Sequence, residues 1–265
     1  MPQRHRISTG NRILDALPEH DLNRLQRGLE PVALALNQTL NHVGAGTPFV
    51  YFPVRGAVSL RTTLQDESSI EVAMIGNEGL IGLSALLADP VPPHTALVQG
   101  AGYGLRAAAS IVRDEFERSQ PFREVVLQFA ALFIAQVSQT AACNSRHGLA
   151  ERCASWLLTM SDRLGADRFP LTQASLAALL GVQRTALNGV AVALQRRGVI
   201  RYHHGRIDIL DRAKLAAAAC ECHGAIKDRL DGFLRPQIGS ENGDENGDGT
   251  PRPPERGPTP VHATD

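Results

Sequence analysis

The chain has 265 residues, enough for two modest domains, and its formal net charge is zero. That average conceals a division, because residues 150–235 hold 13 basic against 8 acidic side chains whereas residues 236–265 hold 2 against 6. No apolar segment follows the early arginines, and glutamines interrupt the longest apolar stretch, Val125 to Val137. We therefore expect no signal peptide, no membrane span and a cytoplasmic location.

The N-terminal part of the chain combines a helical segment with a series of strands. Residues 1–11 are predicted to be flexible, and residues 11–29 to form one helix with an apolar side rich in leucine. From Phe49 to about Arg106, segments of alternating apolar and polar residues are interrupted by glycine, proline and polar turns. Several short strands at such spacing predict a β-sandwich or β-roll.

A long helix is predicted from Pro121 to about Arg146, with a hinge from Asn144 to Gly148. Its apolar residues occupy more than one side, whereas a surface helix needs a single apolar stripe. Burial against the chain's own strands and against a second copy of the chain would explain so wide an apolar surface. A helix inside one larger core is the alternative. The residues predicted at the subunit contact are Phe122, Val126, Phe129, Phe133 and Val137.

Residues 171–195 have the pattern of a helix-turn-helix. Thr172 can cap a first helix with a leucine-rich face, and Gly181 suits the left-handed turn that ends it. A second helix runs from about Gln183, a weaker cap than serine, to Gln195, and Gln183 is itself included among the predicted DNA-binding residues. Arginine can bond two acceptors on guanine, and asparagine can pair with adenine, so the outer face of this helix suits major-groove readout. The residues predicted to read bases are Arg184, Thr185 and Asn188.

A short β-hairpin follows the second helix. Val199–Tyr202 and Ile207–Leu210 flank the turn His203–Arg206. Between Arg168 and Arg206 the chain has six arginines and no acidic residue, a composition expected of a surface that meets a polyanion. An ordinary helical hairpin with solvated arginines is the alternative. The residues predicted to contact the DNA backbone are Thr172, Gln173, Arg201, His203, His204 and Arg206.

Residues 236–265 are rich in glycine, proline, asparagine and acidic residues, so we predict a disordered acidic tail. A solvated extension is the simplest interpretation. Competition with DNA for the basic face is the alternative, which truncation at Arg235 would test.

Several segments resemble the Crp/Fnr family of bacterial transcription regulators. LTQASLAALLGVQRTALNGVAVALQRRGVI with GRIDILD resembles the family's winged helix, and ERCASWLL resembles the helix that opens that domain. FPVRGAVSL and EVAMIGNEGLIGL resemble its cyclic-nucleotide-binding-type β-roll. The resemblance implies an α+β fold. Its parts are a jelly-roll-like sensory β-roll at residues 12–120, a dimerisation helix and hinge at 121–147, and a winged helix-turn-helix at 148–235.

The resemblance also bears on what the β-roll senses. In members that bind cyclic AMP, a glycine-rich cassette supplies a glutamate for the ribose, and a later arginine holds the phosphate. Here Glu78 lies in the cassette, but His94 stands where the arginine is expected. A mostly neutral histidine offers no bidentate fork to phosphate, so control by cyclic AMP in the usual way is not expected. The effector pocket implied by the resemblance comprises Gly76, Glu78, Gly79, His94 and Thr95.

The cysteine positions argue against a metal cofactor. Fnr-type oxygen sensors ligate an iron–sulfur cluster through cysteines near the N-terminus, and this chain has no cysteine before Cys143. Cys143 and Cys153 are interpreted as core residues. The run from Cys220 to His223 could begin a metal site, but it lacks a second ligand pair at zinc-finger spacing. We therefore predict no metal and no cofactor. Haem with His42, His94 or His147 as an axial ligand is the alternative, although lone histidines usually have structural roles.

The sequence carries no phosphate-binding loop, GxSxG elbow or HExxH motif, so we predict no catalytic residues. The expected partners are double-stranded DNA and a second copy of the chain, and the resemblance adds RNA polymerase; no membrane partner is expected. Well-known members carry a glutamate and a second arginine where this chain has Thr185 and Gly189, so its half-site should differ from TGTGA. The alternative is a ligand-sensing or protein-interaction module whose degenerate helix-turn-helix does not bind DNA.

Overall fold

The computed structural model describes residues 8–87 and 91–234. Two short helices, α1 (Arg12–Asp15) and α2 (Glu19–Gln26), open it, so the single helix predicted over 11–29 is divided at Pro18. Asn11 is fully buried; it caps α1, and its Nδ2 donates to the carbonyls of Pro53 (2.8 Å) and Gly79 (2.9 Å). The ordered chain therefore begins before residue 12, and residues 1–7 of the predicted flexible segment lie outside the described residues, as does the predicted acidic tail.

The β-roll is one antiparallel sheet of five strands. They are β1 (Glu30–Leu34), β2 (Thr39–Asn41), β3 (Phe49–Thr63), β4 (Ser69–Ile75) and β5 (Thr95–Ala108), ordered β1-β5-β3-β4 with β2 also on β5. The prediction of short strands is wrong for β3 and β5, which are long and contain register shifts between Pro53 and Val58. At this bend the backbones come so close that a Cβ on Gly102 would lie 2.0 Å from the Arg55 carbonyl oxygen. The bulged bend lets one long strand curve round the core instead of ending.

Two helices close the roll. They are α3 (Ala109–Arg118) and the long α4 (Gln120–Arg146), whose first turn is capped by the Ser119 hydroxyl accepting from the Phe122 N–H (3.1 Å). Among the described residues, α4 is long and apolar enough to cross a membrane by length and composition alone, a criterion that the core helix of a soluble protein also meets. One side of α4 packs into the core of the roll while another carries exposed apolar residues.

The C-terminal part is a helical domain with a small sheet. It contains α5 (Leu149–Leu164), β6 (Arg168–Pro170), α6 (Gln173–Leu179), α7 (Arg184–Arg196), β7 (Ile200–His203), β8 (Arg206–Ile209), α8 (Arg212–Ala218) and α9 (Cys222–Gly232). The sheet order is β6-β8-β7, so the predicted hairpin gains a third strand that the sequence did not indicate. Leu157, Phe169, Leu187 and Val199 centre a second apolar core. Helix α5 lies against β3 and reaches β4 through hydrogen bonds from Trp156 and Arg163, which joins this domain to the roll.

Candidate nucleic-acid interface

Helices α6 and α7 form the predicted helix-turn-helix. The Thr172 hydroxyl accepts from the Ser175 N–H (3.0 Å), as its capping role requires. Gly181 has φ +65°, in the left-handed region that glycine reaches without steric cost. Gln183 occupies the N-cap of α7 and makes no side-chain capping bond there, in line with the weak cap inferred from the sequence. Leu176 and Leu187 are buried between the helices and hold their crossing.

The outer face of α7 presents the three predicted base-reading residues. Arg184, Thr185 and Asn188 are all exposed, and Asn188 Oδ1 accepts from Gln173 Nε2 across the two helices (3.3 Å). In the part of the chain that the structure describes, no salt bridge occupies Arg184, whereas Arg168 is held by the buried Asp208 (2.7 Å). Arg168 therefore has a structural role, whereas Arg184 is available to bind an anion.

The hairpin of β7 and β8 lies beside the start of α6. Its turn has φ +47° at His204 and +72° at Gly205. The Leu171 N–H donates to the Gly205 carbonyl (2.8 Å), and the Tyr202 hydroxyl donates to the Leu171 carbonyl. These bonds fix the hairpin relative to the helix-turn-helix. The predicted backbone-contacting residues on it are all exposed: Arg201, His203, His204 and Arg206.

A cavity of about 310 Å³ opens in the roll next to α4. Apolar side chains dominate its wall, and His94 is the member of the predicted effector set that lines it. Burial lowers the pKa of His94, which keeps its ring neutral at pH 7. The lining includes Leu60, Ile75, Leu83, Phe129, Phe133 and Ile134.

The other predicted effector residues do not gather around this cavity. Glu78 is buried on the far side of its loop, where it accepts from Arg163 of α5 (2.9 Å) and from the Gly76 N–H (3.0 Å). Gly79 packs against α4, since a Cβ there would lie 2.3 Å from the Phe129 ring. Thr95 begins β5 and is partly buried. The glycine-rich cassette thus joins the roll to α5 in this chain and leaves the cavity wall apolar.

Glu71 on β4 is a second buried carboxylate between the roll and α5. Its Oε1 accepts from Trp156 Nε1 (2.9 Å). Burial raises the pKa of Glu71 to about 7, although hydrogen bonds from Ser59 and Trp156 and the charges of Arg61 and Arg163 act to lower it. The folded chain therefore holds a proton on Glu71 at pH values where the unfolded chain does not.

Glu71→Gln is expected to remove a pH dependence of stability. Because the folded pKa is about 7 against 4.5 for an ordinary glutamate, the contribution of Glu71 to stability falls as the pH rises from about 4.5 to 7, by about 3 kcal/mol. The amide still accepts from Trp156 and carries no charge, so the variant should be the more stable protein at pH 8 and the two should match near pH 4.5. Urea unfolding at both pH values measures this, with the exposed Glu117→Gln as control. Parallel pH profiles for wild type and Glu71→Gln would contradict it.

The five residues predicted at the subunit contact face the chain's own roll instead. Phe122, Val126 and Phe129 are buried in its core, and Phe133 and Val137 pack against it. A different stripe of α4 is exposed, including Leu127 (48% exposed) and Ile134 (65%). Its members recur at alternating intervals of four and three residues: Leu127, Ala131, Ile134, Ser138, Ala141 and Ser145. Sequence reasoning missed this stripe because apolar residues surround the helix, so periodicity could not say which side met the roll.

Three cysteine side chains lie close together in the folded chain, a proximity that the sequence did not predict. His223, which the sequence grouped with Cys220 and Cys222, pairs with Asp162 instead (Nε2 to Oδ2, 2.8 Å). Cys143 and His147, from the end of α4, approach Cys220 and Cys222. Cys153 lies apart in the core of the C-terminal domain, as expected.

Comparisons with known proteins agree with this architecture. Residues 151–218 match the Crp-like helix-turn-helix domain. The structure of a transcriptional regulator of the Crp/Fnr family from Eubacterium rectale is similar, with a TM-score of 0.65 and 15% identity over 80% of this chain and 99% of that one. FixK2 from Bradyrhizobium japonicum has a TM-score of 0.62 and 17% identity over 72% of this chain and 98% of its own. The c-di-GMP-responsive regulator CLP from Xanthomonas campestris has a TM-score of 0.59 and 13% identity over 72% of this chain and 99% of its own.

Among curated proteins no sequence matches this chain. The predicted resemblance to the Crp/Fnr transcription regulators is nevertheless confirmed by the domain match and the shared fold, and so is the α+β fold class.

Proposed function

We propose that this chain, which has a Crp-like helix-turn-helix domain at residues 151–218, is a transcription regulator of the Crp/Fnr type that acts as a cytoplasmic homodimer on a two-fold symmetric DNA site. The observation that carries the proposal is the exposed Arg184, which forms no salt bridge with any residue that the structure describes, beside Thr185 and Asn188 at the N-terminal end of α7. Recognition helices present base-reading side chains from that end. The adjoining hairpin adds Arg201 and Arg206 for phosphates.

The exposed stripe of α4 supports the dimer. Intervals of four and three residues are the a/d spacing of a coiled coil, and small residues at Ala131, Ser138 and Ala141 let two helices approach closely. A parallel pair of α4 helices would place two copies of α7 on one side of the dimer. Their half-sites are then expected about 34–36 Å apart, one turn of DNA.

The cavity of the roll favours an apolar effector over a cyclic nucleotide. About 310 Å³ is the volume of a small-molecule site, and no charged side chain among the described residues lines it. A cyclic phosphate buried there would lack the paired donors that a desolvated anion requires. RNA polymerase remains a proposed partner, and neither a membrane partner nor enzymatic activity is part of the proposal.

Selection of genomic fragments by the purified full-length protein tests the proposal. We expect enrichment of a two-fold symmetric motif near physiological salt, with an affinity that falls steeply as salt rises, by a log–log slope of about −0.9 per phosphate contact. If no motif is enriched with the protein alone, with cyclic nucleotides or with cell extract, the alternative of a sensing or interaction module with a degenerate helix-turn-helix is favoured.

Arg184→Ala is expected to lower affinity for the selected site by about 1–3 kcal/mol, or roughly 5- to 150-fold, and to relax base preference at one position. Affinity for random DNA should change much less, because base contacts contribute little there. Fluorescence anisotropy on both DNAs measures the two effects, with the exposed Arg118→Ala on α3 as a charge-matched control. An equal loss on both DNAs would mean that Arg184 contacts only phosphate.

A further inference from the structure

Four potential metal ligands converge where α4 ends. Cys143 and His147 come from that helix end, Cys220 comes from the connection between α8 and α9, and Cys222 is the first residue of α9. One ligand atom from each lies within 4.8 Å of every other. The three cysteines are buried and form a cluster separate from both apolar cores. They are all free thiols, so no disulfide accounts for their proximity.

Two opposite distances among these atoms match the edges of a tetrahedron around one ion, and the other atoms lie close enough to complete it. Cys143 Sγ and Cys220 Sγ are 3.5 Å apart, and Cys222 Sγ lies 3.5 Å from His147 Nδ1. Zinc binds thiolate sulfur at about 2.3 Å and imidazole nitrogen at about 2.0–2.1 Å, so the edges of such a tetrahedron measure roughly 3.5–3.8 Å. An iron–sulfur cluster distributes its thiolates over several irons and would hold them farther apart.

Polar groups around the cluster are arranged as they are around metal ligands. The second ring nitrogen of His147, Nε2, faces the Glu221 carboxylate (3.2 Å), which would orient the ring and leave Nδ1 free to ligate. Gln139 Nε2 donates to Cys222 Sγ (3.0 Å). The Ser155 hydroxyl lies 3.1 Å from Cys220 Sγ. Donors of this kind stabilise thiolates, the form of cysteine that binds metal.

We propose that Cys143, His147, Cys220 and Cys222 bind a single zinc ion in a closed Cys₃His site. Three sulfurs and one imidazole are a donor set that structural zinc sites use, and four protein ligands leave no position for water. A cavity of about 90 Å³ that reaches Cys143 and Cys222 gives an ion a route to the site. The ion would tie the last turn of the long helix to the connection between α8 and α9, across the break at His147 and Gly148.

Metal analysis of untagged full-length protein from zinc-supplemented cells tests the site. We expect one zinc per chain, lost in Cys222→Ser and in Cys143→Ser. Cys153→Ala removes the one cysteine outside the cluster and should retain the full zinc content. Far-UV circular dichroism checks that each variant is folded. Should Cys222→Ser not fold, His147→Gln replaces it, since His147 is only partly buried.

A second measurement uses cobalt as the probe. Reduced, metal-free wild-type protein titrated with Co²⁺ should show the visible bands of a tetrahedral thiolate site, saturating at one equivalent, and zinc should abolish them. Absence of both zinc and a cobalt spectrum would overturn the proposal. A Cys143–Cys220 disulfide found in the protein as isolated, with no metal bound, would overturn it too. Equal zinc in wild type and in folded Cys222→Ser would place the ion elsewhere.

Discussion

Placing glutamate at both Leu127 and Ala131 is expected to convert the proposed dimer into monomers and to weaken binding to the proposed symmetric DNA site by about 100-fold or more. These two residues lie on the exposed stripe of α4, and Leu127 is 48% exposed. In a pair of α4 helices that meet through this stripe, the substitutions would bring four carboxylates together in an apolar interface. A monomer would then bind one half-site at a time and lose the high effective concentration that the second half-site has in the dimer.

Sedimentation velocity measures the oligomeric state, and fluorescence anisotropy on one and two half-sites measures affinity. Binding to the single half-site should be nearly unchanged, which separates loss of dimerisation from loss of folding. Ile111→Glu is the matched control, because Ile111 is a 40% exposed apolar residue on α3, outside the stripe. If the double variant still sediments as a dimer, α4 is not the interface.

The exposed stripe of α4 shows which features of this helix could be predicted from the sequence and which could not. The existence and length of α4 were predicted from the sequence, since its apolar residues extend over a helical span between Pro121 and the hinge at Asn144–Gly148. The side that meets the roll was not readable, because residues such as Phe129 and Ile134 are equally apolar. That assignment depends on where β4 and β5 lie, which is a long-range property of the fold.

The helix-turn-helix was predicted much more fully than the roll. Its cap at Thr172, its turn at Gly181 and the exposed face of α7 all depend on interactions within a few residues, so local pattern was sufficient. Cys143 and Cys220, by contrast, are 77 residues apart and meet only in the folded chain. Glu78 illustrates a different limit, because a familiar cassette indicated a ligand contact whereas the folded chain pairs this residue with Arg163.

Arg163→Met, which removes the ion pair with Glu78, is expected to destabilise the folded chain by about 3–5 kcal/mol. The side chains of Arg163 and Glu78 are only 6% and 7% exposed, and their closest atoms are 2.9 Å apart. Arg163 also donates to the Met74 carbonyl (2.7 Å). Removal of the guanidinium leaves a buried carboxylate without a countercharge, and the cost of that charge exceeds the value of the lost contact.

Urea unfolding of a double-mutant cycle measures the coupling. Arg163→Met combined with Glu78→Gln should recover most of the loss, since no buried charge is then unpaired, although the bond to Met74 remains absent. A cost below about 1 kcal/mol for Arg163→Met alone would show that water reaches Glu78 in solution. Because Arg163 belongs to α5 and Glu78 to the roll, that outcome would mean that this ion pair contributes little to holding α5 against the roll. A large cost would mean that any movement of the DNA-binding domain away from the roll must first break, and then hydrate, this ion pair.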